Sequence, residues 1–303
     1  MSDWEVASFE DEEADMMDFG RSVEVPPYGH LHPFCKGKLL WSPEASHWIF
    51  VLLALAGGTL LFSLLWGSLR FTDPNILPNR WMTQFPDVVV VLLTLVCAAL
   101  LLLTSLTNPG ILPKNKFPRS ISTPAAKEYC ATLPYCRTCH IYRPSQVGHC
   151  RRCNNCVAQF DHHCRLLGCC IGELNRRYFL LFSFSIAVYN MFISVCLGYF
   201  LVVVFPKENI LRYIIFTIGF AITAVLSLIL TGYLMHNFRL IRMGLLHREY
   251  MKGAAPRNSG RPNTFGSLLL LLLFPKKESG LSHTMPPSIA PPLNYSFKHE
   301  WMS

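Results

Sequence analysis

Four stretches of the chain are apolar all the way round, roughly 48–69, 88–106, 178–205 and 213–235, and none contains an internal Asp, Glu, Lys or Arg. A helix that crosses the hydrocarbon core needs about 20 such residues. A buried helix of a soluble domain is shorter and keeps a polar face. The pattern therefore predicts an all-α polytopic membrane protein with four transmembrane helices. Two spans lie in 48–107 and two in 178–235, and a small Cys/His-rich domain at 108–177 separates the pairs. The connection inside the first pair is short and rich in turn residues, with Asp73-Pro74-Asn75 and Pro78-Asn79, and leaves no room for a lumenal domain.

The flanks read differently. Residues 1–47 carry ten acidic residues, the run Glu10-Asp11-Glu12-Glu13 among them, and show no sustained period. They predict a mostly disordered arm. With no basic n-region or cleavage site ahead of it, the first span is expected to be an anchor rather than a signal peptide. In the C-terminal region, 236–303, Arg239, Arg242 and Arg248 alternate with Phe238, Leu240, Ile241, Leu245 and Leu246 over 236–248. This is the pattern of an interfacial amphipathic helix. The apolar run 268–274 is too short to span, and the Pro-rich end is expected to be disordered.

Charge gives the spans a direction. Segment 108–177 holds eleven Lys and Arg and the tail after Met235 nine, against two each in 70–87 and 206–212. The positive-inside rule places the Cys/His domain and both termini in the cytosol. The net charge of +8 is thus a topology signal, and it suits contact with the anionic lipids of a bilayer. A nucleic-acid-binding knuckle needs basic and aromatic residues interleaved on one face, and the tight basic pair in the cluster is Arg151-Arg152 alone. No nucleic-acid partner is expected. A transporter is poorly supported, because no ionisable residue lies in the spans.

Cysteine then changes the picture. Eight of the chain's twelve cysteines fall between Cys136 and Cys170. They read Cys136-x2-Cys139, His149-Cys150-x2-Cys153-x2-Cys156, Asp161-His162-His163-Cys164 and Cys169-Cys170. In a reducing cytosol such Cys/His spacing points to zinc rather than disulfides. Two closed tetrahedral sites take eight ligands and leave a thiol beside a histidine. Such a thiol is a candidate nucleophile.

The loop from Cys136 to Phe179 resembles the Cys-rich domain of the DHHC-type protein S-acyltransferases. The likeness rests on Asp161-His162-His163-Cys164, Arg143-Pro144, Cys170-Ile171-Gly172, Asn175 and Phe179, with a fainter echo in Asn108-Pro109-Gly110 and in Gly260-x2-Asn263 with Phe265-Gly266. By position, the resemblance implies two structural Zn²⁺ ions. Cys136, Cys139, His149 and Cys156 would hold one, and Cys150, Cys153, His163 and Cys170 the other. Cys164 would be the nucleophile, His162 its base and Asp161 the carboxylate that fixes His162, as carboxylates do in triads. The implied activity transfers a fatty acyl group from acyl-CoA through Cys164 to cysteines on the cytosolic side of membrane-associated proteins, in the endomembrane system: Golgi or ER, or the plasma membrane.

The acyl chain would lie among the helices. Tyr189, eleven residues into span three, sits about 16 Å deep at 1.5 Å per residue. There the resemblance implies a closed end of the chain's cavity, with Gly57, Gly58 or Thr59 of span one opposite. Departures from the family pattern are Arg165 and Leu166 in place of Pro-Trp, Cys169 in place of Asn, and Leu246-His247-Arg248-Glu249 in place of Thr-Thr-x-Glu. Arg165 and Leu166 are expected near the substrate. Cys169 could compete with Cys170 for zinc or take an acyl group, and Cys35 and Cys130 could be self-acylated. The departures leave a second reading open, a zinc-stapled membrane scaffold that binds partner proteins without turnover.

Overall fold

In a computed structural model of the chain, the described residues are 28–68, 80–115, 124–144, 146–203 and 210–256. The acidic run, the first interhelical connection, the Gly260–Gly266 echo, the 268–274 run and the Pro-rich end lie outside them.

The four predicted spans are helices: α1 (Ser46–Ser68), α2 (Arg80–Leu106), α4 (Arg176–Val203) and α5 (Ile210–Met243), with a short α3 (Pro124–Ala131) ahead of the Cys/His loop. All four are long and apolar enough to cross a membrane, and the protein is a multi-pass membrane protein. α4 packs on both α2 and α5, while α1 packs on α2. The core of the bundle runs from Trp48, Leu55 and Phe62 through Val90, Cys97 and Leu101 to Phe182, Tyr189, Ile193, Phe200 and Phe216. It also reaches out of the bundle to Leu167, Cys169 and Ile171 of the Cys/His domain.

That domain is made of two- and three-residue strands. They are β3 (Ile111–Leu112), β4 (Tyr135–Cys136), β5 (Ile141–Tyr142), β6 (Gly148–Cys150), β7 (Asn155–Val157), β8 (His162–Cys164) and β9 (Cys169–Ile171). β4–β5 and β8–β9 are hairpins, and β3–β7–β6 form a small antiparallel sheet. Asn108 starts the domain where α2 ends. Its Oδ1 accepts bonds from the N–H groups of Gly110 (2.9 Å) and Ile111 (3.0 Å), which turns the chain back on itself.

The reading of 1–47 as a mostly disordered arm does not hold for residues 28–47. β1 (His32–Phe34) pairs with β2 (Leu39–Trp41), and Leu31 and Leu40 are buried with Ile111, Val157 and the cysteines of the second Cys/His group. Three-residue strands are too short to show a period, but Leu31, just ahead of β1, and Leu40 of β2 find a covered place on the domain.

This hairpin also has a counterpart. His32 pairs Trp41, Pro33 pairs Leu40 and Phe34 pairs Leu39, and a turn then leads into α1 at Ser46. Starting 130 residues later, His162 pairs Ile171, His163 pairs Cys170 and Cys164 pairs Cys169, and a turn leads into α4 at Arg176. Two hairpin–turn–helix units of the same register thus enter the membrane bundle.

The interfacial helix expected at 236–248 is a second correction. α5 continues unbroken through His236 to Met243, Gly244 turns the chain at φ +71°, and α6 (His247–Met251) follows. Leu240, Leu245 and Leu246 are buried, and Ile241 packs on Leu180 beside Phe238. The aliphatic face that looked suited to lipid is covered by the protein itself.

Candidate active site and metal centres

Consecutive residues of a strand point to opposite faces, and β8 and β9 use this directly. His163 and its partner Cys170 face one way, His162 and Cys164 the other. On the first face, His163 Nδ1 lies 3.6 Å from Cys150 Sγ, 3.5 Å from Cys153 Sγ and 3.6 Å from Cys170 Sγ. β6 repeats the device, because His149, opposite Cys156, faces away from its neighbour Cys150. His149 Nδ1 lies 3.6 Å from Cys136 Sγ, 3.4 Å from Cys139 Sγ and 3.7 Å from Cys156 Sγ.

Each group of four offers its ligand atoms within 4.8 Å of one another. Around a tetrahedral Zn²⁺ at 2.3 Å from sulfur and about 2.05 Å from nitrogen, such atoms stand about 3.6 Å apart. Both groups fit a zinc ion, and their ligands interleave along the chain because β6 sends His149 to one group and Cys150 to the other. His140 and Asn154, which follow the second cysteine of each Cys-x2-Cys turn, take φ of +51° and +54°. That left-handed step closes each turn on its two sulfurs.

On the opposite face of β8, His162 Nδ1 lies 2.8 Å from Asp161 Oδ2, and its other ring nitrogen is left for Cys164, to which the ring also bonds. Phe179 meets the imidazole edge-on with ring centroids 5.3 Å apart. Burial works against the charged imidazolium, but the bonds to Asp161 and Cys164 outweigh it and push the His162 pKa up to about 9. Asp161 is itself buried. Burial disfavours its charge, yet His162, the nearby Arg176 and the His247 N–H, 2.7 Å from Oδ1, together hold it below the usual carboxylate range. Cys164 is half-buried and packs against the transmembrane core.

Residues 130–254 match the family described as DHHC palmitoyltransferase. A DHHC palmitoyltransferase domain thus covers this segment of the chain. It is similar to "Palmitoyltransferase ZDHHC18" of Rattus norvegicus, 29% identical over 63% of this chain and 52% of the relative. It is also similar to "Protein S-acyltransferase 8" of Arabidopsis thaliana, 37% identical over 49% of this chain and 42% of the relative. A third relative is "Palmitoyltransferase ERF2" of Eremothecium gossypii, 30% identical over 54% and 47% respectively. The chain spans about half the length of the curated relatives it matches.

Around the DHHC tetrapeptide, the departures from the family pattern resolve into separate places. Arg165 and Leu166 occupy the exposed loop of the β8–β9 hairpin. Cys169 stands opposite Cys164 in that hairpin, outside both metal groups, with its Sγ 3.9 Å from the Thr104 carbonyl. Burial, the first cause, drives its thiol pKa well up. It neither competes for metal nor offers a ready thiolate. Leu246 and His247 need no threonine side chains for their contacts here. Glu249 Oε2 accepts the Leu246 N–H at 3.0 Å, and the His247 N–H serves Asp161.

Deep in the bundle, Tyr189 Oη lies 3.1 Å from Thr59 Oγ1, which lies 2.6 Å from Thr94 Oγ1. A Cβ on Gly58 would stand 3.4 Å from the Tyr189 hydroxyl, and one on Gly57 would meet nothing within 4 Å. Span one therefore faces Tyr189 with Gly58 and Thr59 but not with Gly57.

Sequence reasoning missed Leu167, buried between hairpin and bundle, and Glu44, 3.0 Å from His163. It also missed Thr94 and the link from His247 to Asp161. The signal for Leu167 was its place three residues from Cys164 in an apolar pair. For Glu44, 119 residues from its partner, the sequence offered none.

Proposed function

We propose that the protein transfers a long-chain fatty acyl group, typically palmitoyl, from acyl-CoA to cysteine thiols of membrane-associated proteins. The acyl group passes through a thioester on Cys164. The observation that carries this reading is the split of the β8–β9 hairpin. One face belongs to a metal group, and the other holds Cys164 beside a histidine fixed by a buried carboxylate, against the core of the bundle. A scaffold has no need of that second face.

In the first half-reaction the Cys164 thiolate attacks the acyl-CoA carbonyl carbon, and the C–S bond to CoA breaks. CoA leaves as its thiol with the proton held on His162. In the second, His162 takes the proton of the incoming protein thiol, whose sulfur attacks the Cys164 thioester, and Cys164 leaves as thiolate. Each step exchanges one thioester for another, so positioning supplies most of the advantage. The two metals, when bound, supply rigidity: a structural zinc contributes about 10–16 kcal/mol of binding free energy to its loop. Arg165 and Leu166, exposed beside the nucleophile, would meet the CoA moiety or the protein substrate, and Tyr189 with Gly58 would close the far end of the acyl-chain site.

The Lys and Arg distribution supports cytosolic termini and a cytosolic DHHC domain, in a membrane of the endomembrane system. The test is acyl-enzyme formation from a clickable acyl-CoA by the purified full chain, wild type against Cys164→Ser. Equal hydroxylamine-sensitive loading of both would overturn the assignment of the nucleophile.

A further inference from the structure

Glu44 lies in the turn that feeds α1, in the first of the two hairpin–turn–helix units and outside the segment that matches the DHHC family. Its Oε2 stands 3.0 Å from His163 Nε2, the ring nitrogen that does not face the three cysteines. Arg152 holds the same carboxylate, its Nη1 3.1 Å from Oε1 and 3.5 Å from Oε2, and His47 Nδ1 is 4.0 Å away. The main chain is fixed as well. Ser42 Oγ accepts the Glu44 N–H at 3.1 Å, and the Glu44 carbonyl abuts Gly168, whose φ of +61° and lack of a Cβ allow the approach. Gly168 belongs to the loop of the Cys164 hairpin. Glu44 thus touches that hairpin twice, through its side chain at His163 and through its backbone at Gly168.

A neutral histidine that ligates through Nδ1 must carry its proton on Nε2. A carboxylate that accepts this N–H selects the tautomer, stops the ring rotating and makes the ligand more basic. We propose that Glu44 is the outer-sphere carboxylate of the second metal group and thereby a positioning residue for Cys164. The first group differs: among the described residues no carboxylate bonds His149. The two zinc sites are therefore unequal in support, and the second depends on a residue from the segment ahead of the first span. This hydrogen bond, its arginine brace and the backbone contact at Gly168 tie the entry of α1 to the nucleophile's hairpin.

The difference between the sites gives the test an internal control. The purified full chain with two zinc ions is challenged with a chromophoric chelator, and thiols freed by metal loss are alkylated and mapped by mass spectrometry. In Glu44→Ala, Cys150, Cys153 and Cys170 should become reactive about 10–100-fold sooner than in wild type, while Cys136, Cys139 and Cys156 keep the wild-type rate. Glu44→Gln retains an acceptor for the Nε2–H without the charge and should fall between the two, which keeps the proposal testable should the alanine variant fold poorly. Unchanged release from the second group in both variants would overturn it, and so would equal acceleration of both groups, which marks general loosening. The readout is metal release, so its failure would leave the acyl-transfer reading standing, and a failed acyl-transfer assay would leave Glu44 in place.

Discussion

His162 and His163 are neighbours with opposite duties, because a strand turns successive side chains to opposite faces. Cys164→Ser should therefore abolish hydroxylamine-sensitive labelling and leave zinc at two per chain, as measured by metal analysis of the same preparation. Asp161 is the residue on which the charge of His162 depends. With a pKa of about 9, His162 stays protonated through the neutral range and loses its proton only as the pH rises through that value. In Asp161→Asn the carboxylate's contribution is gone and burial, which disfavours the charged ring, gains the upper hand. The alkaline limb of the pH profile of Cys164 acylation should then move toward neutrality, with a fall in rate at pH 8 larger than at pH 6. A profile of unchanged shape would separate Asp161 from the titration of His162.

At the scale of elements, the hairpins stand on their ligands and on a few buried polar side chains. Asn175 is fully buried. Its Nδ2 donates to the carbonyls of Thr104 (3.0 Å) and Cys170 (2.9 Å), and its Oδ1 accepts the Gly172 N–H at 2.9 Å, so it joins α2, β9 and α4. Asn175→Ala strands three buried groups, and at about 1–3 kcal/mol for each the variant should lose about 3 kcal/mol or more. A thermal melt in detergent measures this. Cys139→Ala should lose one zinc, then fold, then activity; two retained ions would refute its role as a ligand. The sequence made the spans and the Cys-x2-Cys turns legible, since apolar length and cysteine spacing are local signals, while the interleaved division of the ligands into two groups of four came from the family resemblance. It hid the 28–47 hairpin, whose strands are three residues long. It also misdirected the reading of 236–248, where arginines among aliphatics look the same whether lipid or a neighbouring helix covers the aliphatic face. Helix rise made the depth of Tyr189 legible and the family resemblance pointed to residues 57–59 opposite it, whereas the bond from Glu44 to His163 depends on how the two hairpin units dock.

For the whole molecule, the bundle sets the dimension of the proposed substrate. Tyr189→Ala should shift loading toward longer acyl-CoAs and Gly58→Phe toward shorter ones, read as relative rates across a chain-length series. Two unchanged profiles at normal zinc content would remove Tyr189 from the acyl site. A second dimension follows from α5. Its 34 residues make a rod about 50 Å long at 1.5 Å per residue, against a hydrocarbon core of about 30 Å. The rod's C-terminal end is joined through Gly244 to the Leu246–His247 stretch that bonds Asp161. The apolar part of that rod, 213–235, is about 34 Å long and answers a thinner or thicker bilayer by changing its tilt, and tilt should be carried along the remaining turns to the carboxylate behind His162. The rate of Cys164 acylation should accordingly rise and fall across a series of phosphatidylcholine vesicles of increasing hydrocarbon thickness, with a flat response refuting the link. On this account the protein would work fastest where the membrane has the thickness that α5 fits.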